Sequence, residues 1–315
     1  MVDLFGQAAN VARNLRYRGL GAFSELASML RYRVQSTTDA DPVLDADWDV
    51  LVVLDACRAD LFAAVAETGD YDFLTAAPAS RTSPASSSEE WLNTVFGGAD
   101  DAALAGLAYV TGNPFSASEI DADRFHSVEA VWQYAWDDDL GTIPPRPITD
   151  AAVRTWRDAD ADRLVVHYMQ PHFPSIPAAG DTADDGIELD RFGETSLSVW
   201  DDLRFGRRSE ADAWDAYRQN LEYVLDDLDV LFSNLDADTA VITADHGNAF
   251  GERDLYGHPG GVDLPVLRDV PWCAVSPTDD HTHEPGASGQ TADADEGDVD
   301  GDVVEERLED LGYRT

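Results

Sequence analysis

Residues 239–258 read TAVITADHGNAFGERDLYGH. The stretch opens as a short apolar, β-branched run of strand length and ends in Asp245 and His246. Gly247 follows, a residue that lets a backbone turn sharply. A second histidine, His258, stands twelve positions after the first. Strands of mostly parallel sheets gather ligands at their carboxyl ends, so a carboxylate and an imidazole side by side there mark a candidate site.

Upstream of it, residues 211–233 place Trp214, Tyr217, Leu221, Val224, Leu225, Leu228 and Leu231 at helical period, which predicts a helix leading into that strand. WDVLVVLDACRADLF (48–62) predicts a buried strand over Val50 to Leu54, then a turn and a helix, with Asp55 at the strand exit. LAGLAYVTGNPF (104–115), DRLVVHYMQPHFP (162–174) and PWCAVSP (271–277) read as further strands. Short apolar strands alternating with helices predict a three-layer α/β/α sandwich with a mostly parallel central sheet. Three strand ends then carry Asp55, His172 and the Asp245–His246 pair.

The expected organisation has four parts. Residues 1–40 are basic amphipathic helices and 41–277 the catalytic domain, with 175–210 as an insertion or lid. Residues 278–302 are an acidic linker and 303–315 a C-terminal helix. The first 35 residues hold Arg13, Arg16, Arg18, Arg31 and Arg33 and almost no acid, in a chain of net charge −41 whose 21 basic residues are all arginine. That segment either packs on the body or serves as an interfacial, partner-docking element. The acidic excess resembles proteins of salt-accumulating halophilic archaea, where concentrated salt screens self-repulsion. It argues against nucleic acid as a partner. Two cysteines, Cys57 and Cys273, make neither a disulfide framework nor a cysteine zinc site. With no long apolar run and no secretory signal pattern, the expected compartment is the cytoplasm, including its membrane periphery.

The chemistry gathers at three places. Asp55 either caps the next helix or binds a divalent cation, and Arg58 either pairs with Asp60 or holds an anionic substrate. Asp245 and His246 are either a structural pair satisfied by backbone groups or two adjacent metal ligands, a pair that suits Mn²⁺ or Zn²⁺ better than an all-oxygen Ca²⁺ cage. In RTSPASSSEEWLNTVF (81–96), Ser87 or Ser88 is either a helix cap or a hydroxyl nucleophile at a helix N-terminus, where the dipole and a metal would lower its pKa. His167 reads as a core histidine, and His281 and His283 as solvated. Asn113 either faces the pocket or makes a turn. Asn248 and Glu252 are expected to support the metal pair.

LVVLDACRAD, SPASSSEEWL, HYMQPHFP and ITADHGNAFGERDLYGHP, in this order and at these separations, resemble the alkaline phosphatase superfamily. The closest branch is the sulfatase-like hydrolases, haloarchaeal members in particular. The resemblance runs from about Asp47 to about Val275. It implies an ion held by Asp55, Ser88, Asp245 and His246, with Mn or Zn favoured over Ca or Mg, and Ser88 as nucleophile. Ser86, Ser87 and Thr82 are neighbouring alternatives for that role. His172 and His258 would face the ester or protonate its leaving oxygen; the resemblance favours one ion, with these two histidines as the alternative holders of a second. The formylglycine motif of classical sulfatases, C/S-x-P-x-R, is absent. The resemblance therefore leans to phosphate esters: a hydrolase or phospho-group transferase on a small-molecule, glycan or lipid-linked substrate. A true sulfatase is the alternative in the same class. A metal-bearing, non-catalytic scaffold at a membrane or glycan-assembly partner is the alternative in another.

Overall fold

A computed structural model describes residues 21–34, 40, 42–75, 77–158, 160–178, 198–286 and 301–311. The central sheet has seven strands: β1 (Val50–Leu54), β2 (Ala79–Thr82), β3 (Leu107–Thr111), β4 (Ser127–Ala130), β5 (Arg163–Tyr168), β6 (Ala240–Ala244) and β9 (Asp269–Val275). Their spatial order is β2-β9-β6-β1-β5-β3-β4. The run from β6 to β4 is parallel, while β9 joins β6 antiparallel and β2 joins β9 antiparallel. A separate two-stranded ribbon pairs β7 (Ala249–Phe250) with β8 (Tyr256–Gly257). The expected mostly parallel α/β sheet is the one found.

Every residue of β1, β3 and β6 is buried, which is why these segments read as unbroken apolar runs rather than alternating ones. Alternation decides which layer each side chain joins. Val50, Val52 and Leu54 pack with the helices α2 (Ala59–Ala66), α4 (Pro145–Asp158) and α5 (Glu210–Phe232). Leu51 and Val53 pack on the other face against Trp91 and Leu92 of α3 (Ser88–Val95). The helix predicted over 211–233 is α5, capped by Ser209, whose hydroxyl accepts from the Asp212 N–H at 3.1 Å.

The helix α1 (Gly21–Val34) lays Met29 and Tyr32 on a small cluster of Leu255, Val262, Leu264 and Leu267. The C-terminal helix α6 (Gly301–Asp310) buries Leu308. Residues 278–286, the start of the tract expected to be a solvated linker, lie on the body. Asp279 pairs with Arg157 at 2.8 Å, and His283 Nε2 meets Asp150 at 2.6 Å, so His283 is not a solvated side chain. His281 is largely exposed. Most of the tract expected to form a lid (179–197), most of the acidic linker (287–300) and residues 1–20 lie outside the described residues. No helix among the described residues is long and apolar enough to cross a membrane.

Candidate active site

β1 lies between β5 and β6, so the carboxyl ends of three neighbouring strands meet. The Asp55 N–H donates to Tyr168 O at 3.0 Å and the His172 N–H to Asp55 O at 3.1 Å, clamping the loop after β5 onto the end of β1. Ala56 turns with φ +59°, a strained value for a residue with a Cβ, and this aims its N–H at Asp245 Oδ1, 2.9 Å away. The Tyr217 hydroxyl on α5 braces the turn, donating to Ala56 O and accepting from the Arg58 N–H at 3.1 Å.

On the opposite face, two serines divide two roles. Ser87 is the N-cap of α3, its hydroxyl accepting from the Glu90 N–H at 3.4 Å. Ser88, the first helical residue, is thereby released from capping and points at the strand ends. Its Oγ lies 2.6 Å from Asp245 Oδ2, 3.3 Å from Asp55 Oδ2 and 3.3 Å from His246 Nε2. All four residues are fully buried. Ser86 is engaged elsewhere, donating to Pro259 O at 3.0 Å and accepting from the Val262 N–H at 3.1 Å.

The tautomer of His246 follows from its partner. Nδ1 lies 2.8 Å from Gly247 O, and a carbonyl only accepts, so Nδ1 carries the hydrogen and Nε2 presents a lone pair. Three acceptors therefore converge on one hydroxyl that has one hydrogen to give. Asn113 Nδ2 relieves Asp55 with a bond of 2.9 Å, but the cluster keeps more lone pairs than donors. A divalent cation resolves such an excess. Two carboxylates, an imidazole nitrogen and a hydroxyl are a donor set that fits one. Asp55, Asp245 and His246 form the possible metal site, each offering an atom within 4.8 Å of the others.

Burial alone would raise the Asp245 pKa. The imidazoles of His246 and His167 and the Ser88 hydroxyl outweigh it and hold the carboxyl below the usual range. His258 lies between two other imidazoles: its ring centroid is 4.7 Å from that of His246, tilted to it, and 4.9 Å from that of His172, edge to face. Burial pushes His172 down to about 4 and His258 well below its ordinary value. His258 Nδ1 is held by Asn248 Oδ1 at 2.9 Å.

Arg58 goes elsewhere. Its guanidinium grips Asp60 with two bonds of 2.9 and 2.7 Å, Glu252 at 2.6 Å and Asn248 O at 3.1 Å, and lies over the Trp214 ring. Four of its five donors are committed, so in this arrangement it is the structural pair with Asp60 and not the holder of an anionic ester. Glu252 thus supports Arg58 rather than the metal pair. Gly247 is required by close approach, since a Cβ there would lie 2.2 Å from Val266 O. His167, read as core, is buried with Nε2 3.7 Å from Asp245 Oδ2 and Nδ1 3.0 Å from the Tyr109 hydroxyl. Its strand pattern held no signal of that, because a histidine inside a buried strand looks the same whatever lies behind it.

Fold and cluster define an α/β/α protein with a carboxylate–imidazole–hydroxyl site at the carboxyl edge of its sheet. No protein-family model and no curated protein matches the chain. Among solved structures it is similar to the integral membrane protein lipooligosaccharide phosphoethanolamine transferase A of Neisseria meningitidis, at TM-score 0.48 and 14% identity over 88% of this chain and 60% of that one. The soluble domain of the same enzyme gives 0.45 and 13%, over 72% of this chain and 75% of that one. A structure from Bacteroides thetaiotaomicron described as a sulfatase gives 0.40 and 11%, over 78% and 66%. At these identities the likeness is one of fold.

Proposed function

We propose that this chain is a metal-dependent enzyme of the sulfatase-like, alkaline phosphatase type. It transfers or hydrolyses a phosphate ester through Ser88. One observation carries the reading: of the serines in 81–96, Ser88 alone among the described residues sits within hydrogen-bond reach of Asp55, Asp245 and His246 together. A structural serine at a helix start has no need of two buried carboxylates. The absence of a formylglycine motif favours phosphorus over sulfur, because the hydroxyl then acts unmodified.

Asp55, Ser88, Asp245 and His246 would hold the ion, Mn²⁺ or Zn²⁺ by donor type. A bound divalent cation lowers the pKa of a coordinated hydroxyl and offsets charge building on the ester oxygens. Ser88 Oγ attacks phosphorus, the bond to the leaving oxygen breaks, and a phosphoseryl intermediate forms. Water or an acceptor alcohol then attacks phosphorus, the Ser88–phosphorus bond breaks, and the hydroxyl returns. With their pKa values lowered, His172 and His258 are neutral at pH 7, so whichever of the two serves takes the one proton that the nucleophile releases in a step and returns it to the leaving oxygen.

The test is turnover of aryl phosphodiester, phosphomonoester and sulfate ester in molar KCl with Mn²⁺ or Zn²⁺, by wild type, Ser88→Ala and Asp245→Ala. The expected result is metal-dependent phosphorus-ester turnover that drops ~10³-fold or more in each variant. Sulfate-ester turnover as the main activity sinks the phosphate assignment. Turnover that survives Ser88→Ala sinks the nucleophile.

A further inference from the structure

Helix α1 has apolar residues on two faces, and among the described residues only one is packed. Met29 and Tyr32 pack inward, and Glu25 on the same side pairs with Arg204 at 2.9 Å. The outward stripe is Leu26, Ala27, Leu30 and Arg31, positions that share a helix face by their spacing. Among the described residues the exposed large apolar side chains are Leu26, Leu30 and Val303, with Leu26 39% and Leu30 56% exposed. Two of the three therefore lie one turn apart on this helix.

Along the sequence, the charge of this segment is opposite to that of the rest of the chain. The first 35 residues contain five arginines and two acids, in a chain of net charge −41. Of those two acids Glu25 faces inward, and among the described residues no carboxylate pairs with Arg31. The helix is also tied to the site. Arg33 donates to Gly260 O at 2.8 and 3.1 Å, two residues beyond His258.

We propose that the outward stripe of α1 docks on an anionic lipid bilayer, with the leucines entering the interface and Arg31 meeting headgroup phosphate. Screening makes this compatible with the acidic body. In molar salt the Debye length is about 3 Å, so only groups at the contact feel the membrane charge. The leucine contribution is apolar and survives salt. A second copy of the chain is the poorer occupant. A symmetric pairing through this stripe would bury both copies of Arg31 in one interface and bring two highly acidic bodies together. Docked this way, the helix that Arg33 ties to the His258 loop rests on the lipid surface, which fits an ester carried on a lipid. That delivery role rests on the enzyme reading above; the docking does not.

The experiment is co-sedimentation of the full chain with phosphatidylcholine vesicles, with and without phosphatidylglycerol, in about 0.2 M and in molar KCl. Wild type, Leu26→Ser/Leu30→Ser and Arg31→Glu are compared, with circular dichroism and soluble-ester turnover measured alongside. We expect wild type to favour the phosphatidylglycerol vesicles and that preference to shrink in molar salt. The leucine variant should lose roughly tenfold or more of its partitioning, Arg31→Glu should lose the anionic preference, and fold and soluble turnover should be unchanged. A wild type that stays in the supernatant, or variants that bind equally, overturns the proposal. So does a wild-type dimer in solution that the leucine variant abolishes, which would mean the stripe is covered by a second copy. Sedimentation needs no turnover, so loss of docking and loss of activity are read separately.

Discussion

At the scale of single residues, the site is a problem in donors and acceptors. Ser88 has one proton for three acceptors, and that shortage is the physical case for a cation. Arg58 has the opposite circumstance, with nearly every donor matched. Arg58→Met should lower stability by about 2 kcal/mol in urea unfolding by unpairing Glu252 and Asp60, and should leave KM for the ester unchanged. A large rise in KM would return Arg58 to the substrate. His172 makes a pH prediction for the metal-free protein. Its ordinary value is near 6.5 and its folded value about 4. Between those values the unfolded chain binds the proton and the folded chain does not, so acidification favours unfolding. That contribution is complete above pH 6.5, is lost as pH falls towards 4, and amounts to roughly 3 kcal/mol. The wild-type unfolding midpoint should therefore drop more steeply over this range than that of His172→Gln, and parallel curves would refute the assignment.

Elements decide where these residues point. The strain at Ala56 is tolerated because α5 brings Tyr217 to brace it, so a helix remote in sequence orients an N–H onto Asp245. On α3, one residue of helical phase separates a cap from a site hydroxyl. Behind β6, the Gly247 N–H donates to Leu267 O at 2.8 Å, and the two backbones are too close for a Cβ. Gly247→Ala should cost roughly 1–3 kcal/mol and weaken metal binding in a calorimetric titration, because the chain that carries Asp245 and His246 must move. Unchanged affinity would show that the segment relaxes without disturbing its ligands.

For the whole molecule, the uneven charge bears on stability everywhere on the surface. With 62 acids against 21 arginines, self-repulsion opposes the compact state unless salt screens it. The thermal midpoint should rise as KCl increases from about 0.1 M to molar, and a flat or falling midpoint would contradict the screening account. Much of the fold was legible along the chain. Buried parallel strands read as apolar runs, so β1, β3, β5 and β6 could be located, as could α5 by its period. A polar residue ending such a run stands out, as Asp55, Asp245 and His246 do. These signals are local, set by a few neighbouring residues. The strand order, the antiparallel β9 and the short half-exposed edges β2 and β4 emerged only from packing in three dimensions. Packing also chose Ser88 over Ser86 and Ser87, paired Arg58 with Asp60 and Glu252, and set His167 behind Asp245. Each of those depends on which distant segment packs alongside, and periodicity along one segment holds no information about its neighbour in space.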